Sequence, residues 1–176
     1  RLNGVKAYVP NAESADSLLV YARDSESGQV DAYIVNKGTH GVSVQAKEDL
    51  MGLRAVPKYR VAFSDAEVDA PCRLGGAEGA NFTALLNRGR VALAAMAVGV
   101  ARAAFEYARD YAKQRVAFGV PIAQKQSIAL MLAEMAIEVD SARLMAGEAA
   151  WKIDKGDDVT REAYLAKQYA DKMVLE

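Results

Sequence analysis

Arg115-Val116-Ala117-Phe118-Gly119-Val120-Pro121-Ile122, with Gln126 shortly after it, lies between two long segments that read as helices. Its reading decides how the second half of the chain folds. The stretch gathers a cation, an aromatic ring, a glycine and an amide within about three helical turns' worth of chain. That mixture suits an anionic, partly aromatic ligand better than a plain helix–helix turn. On the residues alone a second reading stays open, in which Arg115 is a charge at a helix C-terminus and Phe118 a hydrophobic staple.

Upstream of this stretch, a helix is expected from Asn81 or Phe82 to about Gln114, with no proline inside it. Leu86, Leu93, Met96, Val100, Ala104 and Ala108 recur at helical spacing. Val91 to Ala101 is apolar almost all round, so burial on most sides is expected there, by a bundle of some size or an oligomer. Downstream, a second helix is expected over about Gln124 to Asp154, with Ile128, Leu132, Met135, Val139, Ala142, Ala146, Ala149 and Ile153 as its stripe. Gly156 suits a left-handed cap. Asp158 or Thr160 is placed to cap a third helix that begins near Arg161 and runs off the end. Trp151 reads as core or interface packing, and the six methionines read as core filler rather than a ligand surface.

Further upstream, Gly75-Gly76-Ala77-Glu78-Gly79-Ala80-Asn81 is the most flexible composition in the chain. A domain boundary is expected at about residue 76, dividing the chain into 1–76 and 77–176. Before it, short strand-like runs follow one another without a helix: Leu2–Val9, Ser17–Arg23, Val30–Val35, Val42–Ala46 and Lys58–Phe63. The fold class is therefore α+β: an antiparallel β-sheet or small barrel, then long antiparallel helices of an incomplete four-helix bundle.

Composition narrows the function. A net charge of −1 lacks the basic excess of a nucleic-acid-binding domain. The longest continuous apolar run, Val91–Ala101, is roughly half the ~20 residues of a spanning helix, so no membrane span is expected. One cysteine, Cys72, excludes an internal disulfide, and one histidine, His40, with one cysteine argues against a metal centre. Both read as structural or surface residues. The chain opens on Arg and closes on Lys172-Met173-Val174-Leu175-Glu176 without a helix stop, so it is expected to be cut at both ends.

Several stretches in order resemble the acyl-CoA dehydrogenases, FAD flavoproteins of fatty-acid and amino-acid catabolism. They are Leu2-Asn3-Gly4-Val5-Lys6-Ala7-Tyr8-Val9-Pro10-Asn11-Ala12 with Ala15-Asp16, then Met51-Gly52-Leu53-Arg54, then Val61-Ala62-Phe63-Ser64-Asp65-Ala66-Glu67-Val68. Leu86-Asn87-Arg88-Gly89-Arg90, Ala97-Val98-Gly99-Val100-Ala101, and the run from Tyr111 to Ile122 follow, with Gln126 and Leu132-Ala133-Glu134-Met135 last. The resemblance covers essentially the whole chain, as the later part of the family's middle β domain and the first helices of its last domain.

The resemblance implies FAD as cofactor, held by Arg115, Phe118 and Gln126 against a neighbouring subunit's pyrophosphate and adenosine, and by Tyr8 against the flavin ring. Pro10 stands where a threonine often meets the flavin, so that hydroxyl is lost. It implies acyl-CoA as substrate, met by Arg90, Asn87 and Leu86, and an electron-transfer flavoprotein as acceptor. A dimer or tetramer in the bacterial cytoplasm or mitochondrial matrix is expected. The implied reaction is α,β-dehydrogenation of the thioester, in which a carboxylate takes the α-proton while the β-hydrogen leaves as hydride. Some branches carry that base just before the arginine at position 90; here the residue is Gly89, and no catalytic residue is assigned. An acyl-CoA oxidase, a nitroalkane oxidase and a non-catalytic binding protein on the same scaffold are the competing readings.

Overall fold

Five strands fill the front of the chain: β1 (Leu2–Pro10), β2 (Ser17–Arg23), β3 (Val30–Asn36), β4 (Val42–Lys47) and β5 (Lys58–Ala66). All are antiparallel, in a three-stranded sheet of order β1-β5-β4 and a two-stranded β2-β3 sheet. The computed structural model describes residues 1–175. Alternation sets the central strand: Tyr59, Val61 and Phe63 of β5 are buried, whereas Arg60 and Ser64 face solvent. With Leu2, Ala12, Val20, Val35 and Ala66 they form the core of the first unit, Arg1–Phe82. Asp24 Oδ1 accepts from the backbone N–H groups of Glu26 and Ser27, which closes the β2–β3 loop. His40 sits in a turn, and Cys72 in the short 3-10 turn Ala70–Cys72.

The second unit, from Thr83 onward, contains most of α1 (Phe82–Gln114), a hairpin of β6 (Val116–Ala117) and β7 (Val120–Pro121), then α2 (Gln126–Lys155) and α3 (Thr160–Met173). The architecture is thus the expected α+β one, antiparallel sheets followed by long antiparallel helices. Its core is alanine-rich: Ala94, Ala142, Ala149, Ala163, Ala166 and Ala170 are fully buried among Val91, Val98, Val139 and Met173. Small side chains let the helices approach closely, and their straight packing leaves little room for larger groups. The α2 stripe read from the sequence is the face that turns inward. Gly156 takes φ 79° and its N–H bonds the Ile153 carbonyl, closing α2.

Three sequence expectations are corrected. The buried face of α1 is Asn87, Val91, Ala94, Val98 and Ala112, whereas Leu86, Leu93, Met96 and Val100 are exposed. A helix apolar nearly all round gives spacing no face to select. The length argument against a span fails for α1, which is long and apolar enough to cross a membrane, with mean hydropathy 1.4 in its most apolar stretch. Here α1 is a bundle helix, with Val91, Ala94 and Val98 in the core that α2 and α3 share. Trp151 is not core packing: it is exposed, with the Lys155 ammonium 5.8 Å from its ring. As expected, no left-handed cap stops α3: Val174 keeps right-handed helical backbone with its N–H on the Ala170 carbonyl, and the Leu175 N–H bonds the Lys172 carbonyl.

Candidate functional site

The corner between α1 and α2 is built by a hairpin. The Arg115 N–H donates to the Tyr111 carbonyl as the last bond of the helix, and the Ile122 N–H donates back to the Arg115 carbonyl, both at 2.8 Å. Val116 pairs with Pro121 and Ala117 with Val120, so Phe118-Gly119 is the two-residue loop. Both loop residues have positive φ, 55° and 81°, the geometry of a type I′ turn. Gly119 adopts it without strain, whereas an L-residue there costs roughly 1–2 kcal/mol. Phe118 bears that cost with its ring 96% exposed. The Lys125 ammonium lies 4.9 Å from the ring centre, a cation–π contact.

Arg115 is exposed, and among the described residues its guanidinium has no hydrogen-bonding or ionic partner. Gln126 is the first residue of α2 and is also exposed. Lys125 occupies the capping position without a side-chain bond to the helix, so the first backbone N–H groups of α2 have no side-chain acceptor. Arg115, Phe118 and Gln126 are therefore brought to one corner. Its donors and exposed ring fit a ligand that carries phosphates and a flat heterocycle. Lys125 was not found by sequence reasoning; the one signal available was a lysine where a capping Ser, Thr, Asp or Asn is preferred.

At the other end of α1, Asn87 is 3% exposed, and both ends of its amide are hydrogen-bonded. Its Nδ2 donates to Thr160 Oγ1 at 3.0 Å, and its Oδ1 accepts from Arg90 Nη1 at 2.9 Å. The other terminal nitrogen of Arg90 donates to the Tyr164 hydroxyl at 2.8 Å, and Arg90 Cζ lies 3.9 Å from the Tyr164 ring centre. Asp158 Oδ1 accepts from both the N–H and hydroxyl of Thr160, at 3.0 and 2.8 Å. These two bonds hold the Asp158 carboxyl below its ordinary value. Leu86 lies beside Asn87 on α1, partly exposed. Neither expected residue is the cap of α3: Val159 holds that position, Thr160 is the first helical residue, and Asp158, one residue before the cap, accepts the first helical N–H. Tyr164 was likewise missed, because nothing local in the sequence ties it to Arg90.

Arg90 and Gln114 are 24 residues apart on α1 (114 − 90), or roughly 36 Å along its axis. One chain therefore does not bring the Asn87–Arg90 group and the Arg115 corner into a single local site. Gly89 lies exposed on α1, and a Cβ added there meets nothing within 4 Å.

Tyr8 belongs to the first unit. Pairing runs from Lys6↔Val61 to Val9↔Tyr59, which leaves one extra residue in β1, a bulge. Tyr8 takes φ 58° within it and is 58% exposed. It lines a groove of about 260 Å³ with Lys6, Leu18, Leu19, Tyr21 and Phe63. Among the described residues no cluster of His, Cys, Asp and Glu is arranged to hold a metal.

Two family models match the chain: "Acyl-CoA dehydrogenase, middle domain" over residues 1–66 and "Acyl-CoA dehydrogenase, C-terminal domain" over residues 79–176. An acyl-CoA dehydrogenase of Bacillus subtilis (strain 168) is 41% identical over 175 residues, covering 96% of this chain and 46% of that protein. The structure of butyryl-CoA dehydrogenase from Megasphaera elsdenii superposes with a TM-score of 0.86 at 37% identity, covering 98% of this chain and 46% of that one. PigA with FAD and proline superposes at 0.88 with 30% identity, covering 99% and 47%. The chain spans about half the length of these relatives.

Proposed function

Because the chain belongs to the acyl-CoA dehydrogenase family, we propose that it is part of an FAD-dependent enzyme that dehydrogenates an acyl-CoA thioester between its α and β carbons. The observation that carries this reading is the corner at the end of α1. There an unpartnered Arg115, an exposed and strained Phe118 ring, and the Gln126 amide meet at the start of α2. This donor set fits the adenosine diphosphate half of FAD. Arg115 would hold its pyrophosphate through forked N–H donors, Phe118 would lie against its adenine, and Gln126 would donate to and accept from it. Tyr8, aimed outward by its bulge, would cover the flavin ring and keep water from it. When bound, FAD supplies the acceptor for the hydrogen that leaves the β-carbon.

Arg90, with Asn87 and Leu86 beside it, would meet the acyl-CoA. A guanidinium offers charge and directed N–H groups to phosphate or carbonyl oxygens of that ligand. The α-proton requires a carboxylate, and Gly89 cannot serve, so no residue of this chain is assigned as the base. The separation of roughly 36 Å along α1 supports a homo-oligomer in which the Arg115 corner serves a neighbouring subunit's FAD. We take 1–76 and 77–176 as the two domain portions, an electron-transfer flavoprotein as the electron acceptor, and the bacterial cytoplasm or mitochondrial matrix as the location.

The likeness to PigA with FAD and proline supports a second reading, a flavoenzyme of this scaffold that acts on a different substrate. The test uses protein expressed from the complete open reading frame, stripped of flavin and titrated with FAD. Stoichiometric binding is expected, with Arg115→Ala weakening it about tenfold or more. A protein that takes up no FAD, or an Arg115→Ala variant with unchanged affinity, would overturn the assignment of this corner.

A further inference from the structure

We infer that Tyr164 is the positioning residue of Arg90, holding its guanidinium in place for an anionic or carbonyl oxygen of the ligand. This rests on the reading that Arg90 meets acyl-CoA.

Three contacts restrain the guanidinium. Nη1 donates to Asn87 on its own helix, Nη2 donates to the Tyr164 hydroxyl on α3, and Cζ lies 3.9 Å from the centre of the same ring. Two bonds tie down the two terminal nitrogens, and the ring lies against the central carbon, so the guanidinium is held at three points. Of five N–H donors, two are used and three remain. Every restraining group is neutral, and among the described residues no carboxylate forms an ion pair with Arg90. The side chain is thus immobilised without having its charge cancelled. An arginine held only for stability gains most from a carboxylate partner; this one has been given two neutral acceptors and an aromatic face.

Tyr164 has little other role. It is 53% exposed and lies outside the alanine core of the bundle. The bracket behind it is firm: Asp158 holds Thr160, Thr160 holds buried Asn87, and Asn87 holds Arg90. The first two turns of α3 therefore hold Arg90 from two sides, Thr160 through Asn87 and Tyr164 directly. Ordering the side chain in advance removes an entropic cost that acyl-CoA binding would otherwise carry. The effect should fall on substrate affinity more than on turnover.

The experiment is steady-state kinetics of protein from the complete open reading frame, with acyl-CoA and an artificial electron acceptor. Tyr164→Leu, Tyr164→Phe, Arg90→Ala and the double variant Arg90→Ala/Tyr164→Leu are compared. Tyr164→Leu is expected to raise KM about tenfold with kcat changed less than about threefold. Tyr164→Phe, which keeps the ring and loses the hydroxyl bond, should raise KM about threefold. In the Arg90→Ala background, Tyr164→Leu should add less than about twofold, because its effect runs through Arg90. Independent, multiplicative effects, or a Tyr164→Leu variant with lowered thermal stability and unchanged KM, would overturn the inference while Arg90→Ala still raised KM. An Arg90→Ala variant with unchanged KM would instead overturn the reading beneath it. If Tyr164→Leu does not fold, the KM of Tyr164→Phe decides, and a value equal to that of the parent counts against positioning.

Discussion

The Lys125 ammonium lies 4.9 Å from the centre of the Phe118 ring, and that ring is otherwise almost wholly exposed at the tip of a two-residue turn. Phe118 is the wrong residue for its backbone, at φ 55°. Glycine would relieve strain of about 1 kcal/mol. Phe118→Gly is therefore expected to leave thermal stability unchanged or raised while weakening FAD binding about tenfold. Calorimetry beside an FAD titration checks both halves. A variant that loses stability and keeps its FAD affinity would show the ring to be structural.

Asn87 offers the opposite case, a candidate ligand residue that is buried, with both ends of its amide bonded to protein. Asn87→Ala leaves the Thr160 hydroxyl and an Arg90 donor without their partner, and a loss of about 1–3 kcal/mol is expected. Chemical denaturation measures it. A loss below about 0.5 kcal/mol would mean that water replaces the amide at no cost.

Gly89 stands in open space with helical backbone, and glycine weakens a helix interior. Gly89→Ala should stabilise the protein by about 0.5–1 kcal/mol. If the variant is more stable but binds acyl-CoA more weakly, the glycine serves close approach of the ligand. If it is destabilised, a neighbour outside the described residues covers this face.

Asp158 makes α3 sensitive to acid. Its bonds from the Thr160 N–H and hydroxyl hold its carboxyl below the ordinary value of 3.8. A carboxylate depressed in the folded state contributes stability that is full above the unfolded value and is lost as pH falls through the folded one. Glu162, lowered by its bond from Lys152, acts in the same direction from 4.5 downward. Thermal unfolding followed from pH 6 to about pH 3 should therefore fall more steeply for the parent than for Asp158→Asn. Parallel curves would remove Asp158 from the acid response.

Much of this was legible in the sequence, for physical reasons. Short strand-like runs with turn residues between them have few folds available, and all five strands appear where those runs and turns placed them. On α2 the apolar stripe is bordered by Glu134, Glu138 and Arg143, so spacing selected the inward face. On α1 no polar border exists over Val91–Ala101, and the same method chose exposed Leu93 and Val100. Arg115, Phe118 and Gln126 stood out by chemistry, but the positive φ of Phe118 and the stacked Lys125 did not, since neither is a property of residue type alone. Tyr164 is 74 residues from Arg90 and meets it only because two helices pack.

The most direct measurement is anaerobic titration of the FAD-loaded protein with a panel of short, branched and aromatic acyl-CoA thioesters, followed by the visible flavin band. The expected result is bleaching of that band by at least one thioester at about one equivalent per FAD. A flavin that stays oxidised with every thioester, while another class of substrate bleaches it, would contradict the acyl-CoA dehydrogenase assignment.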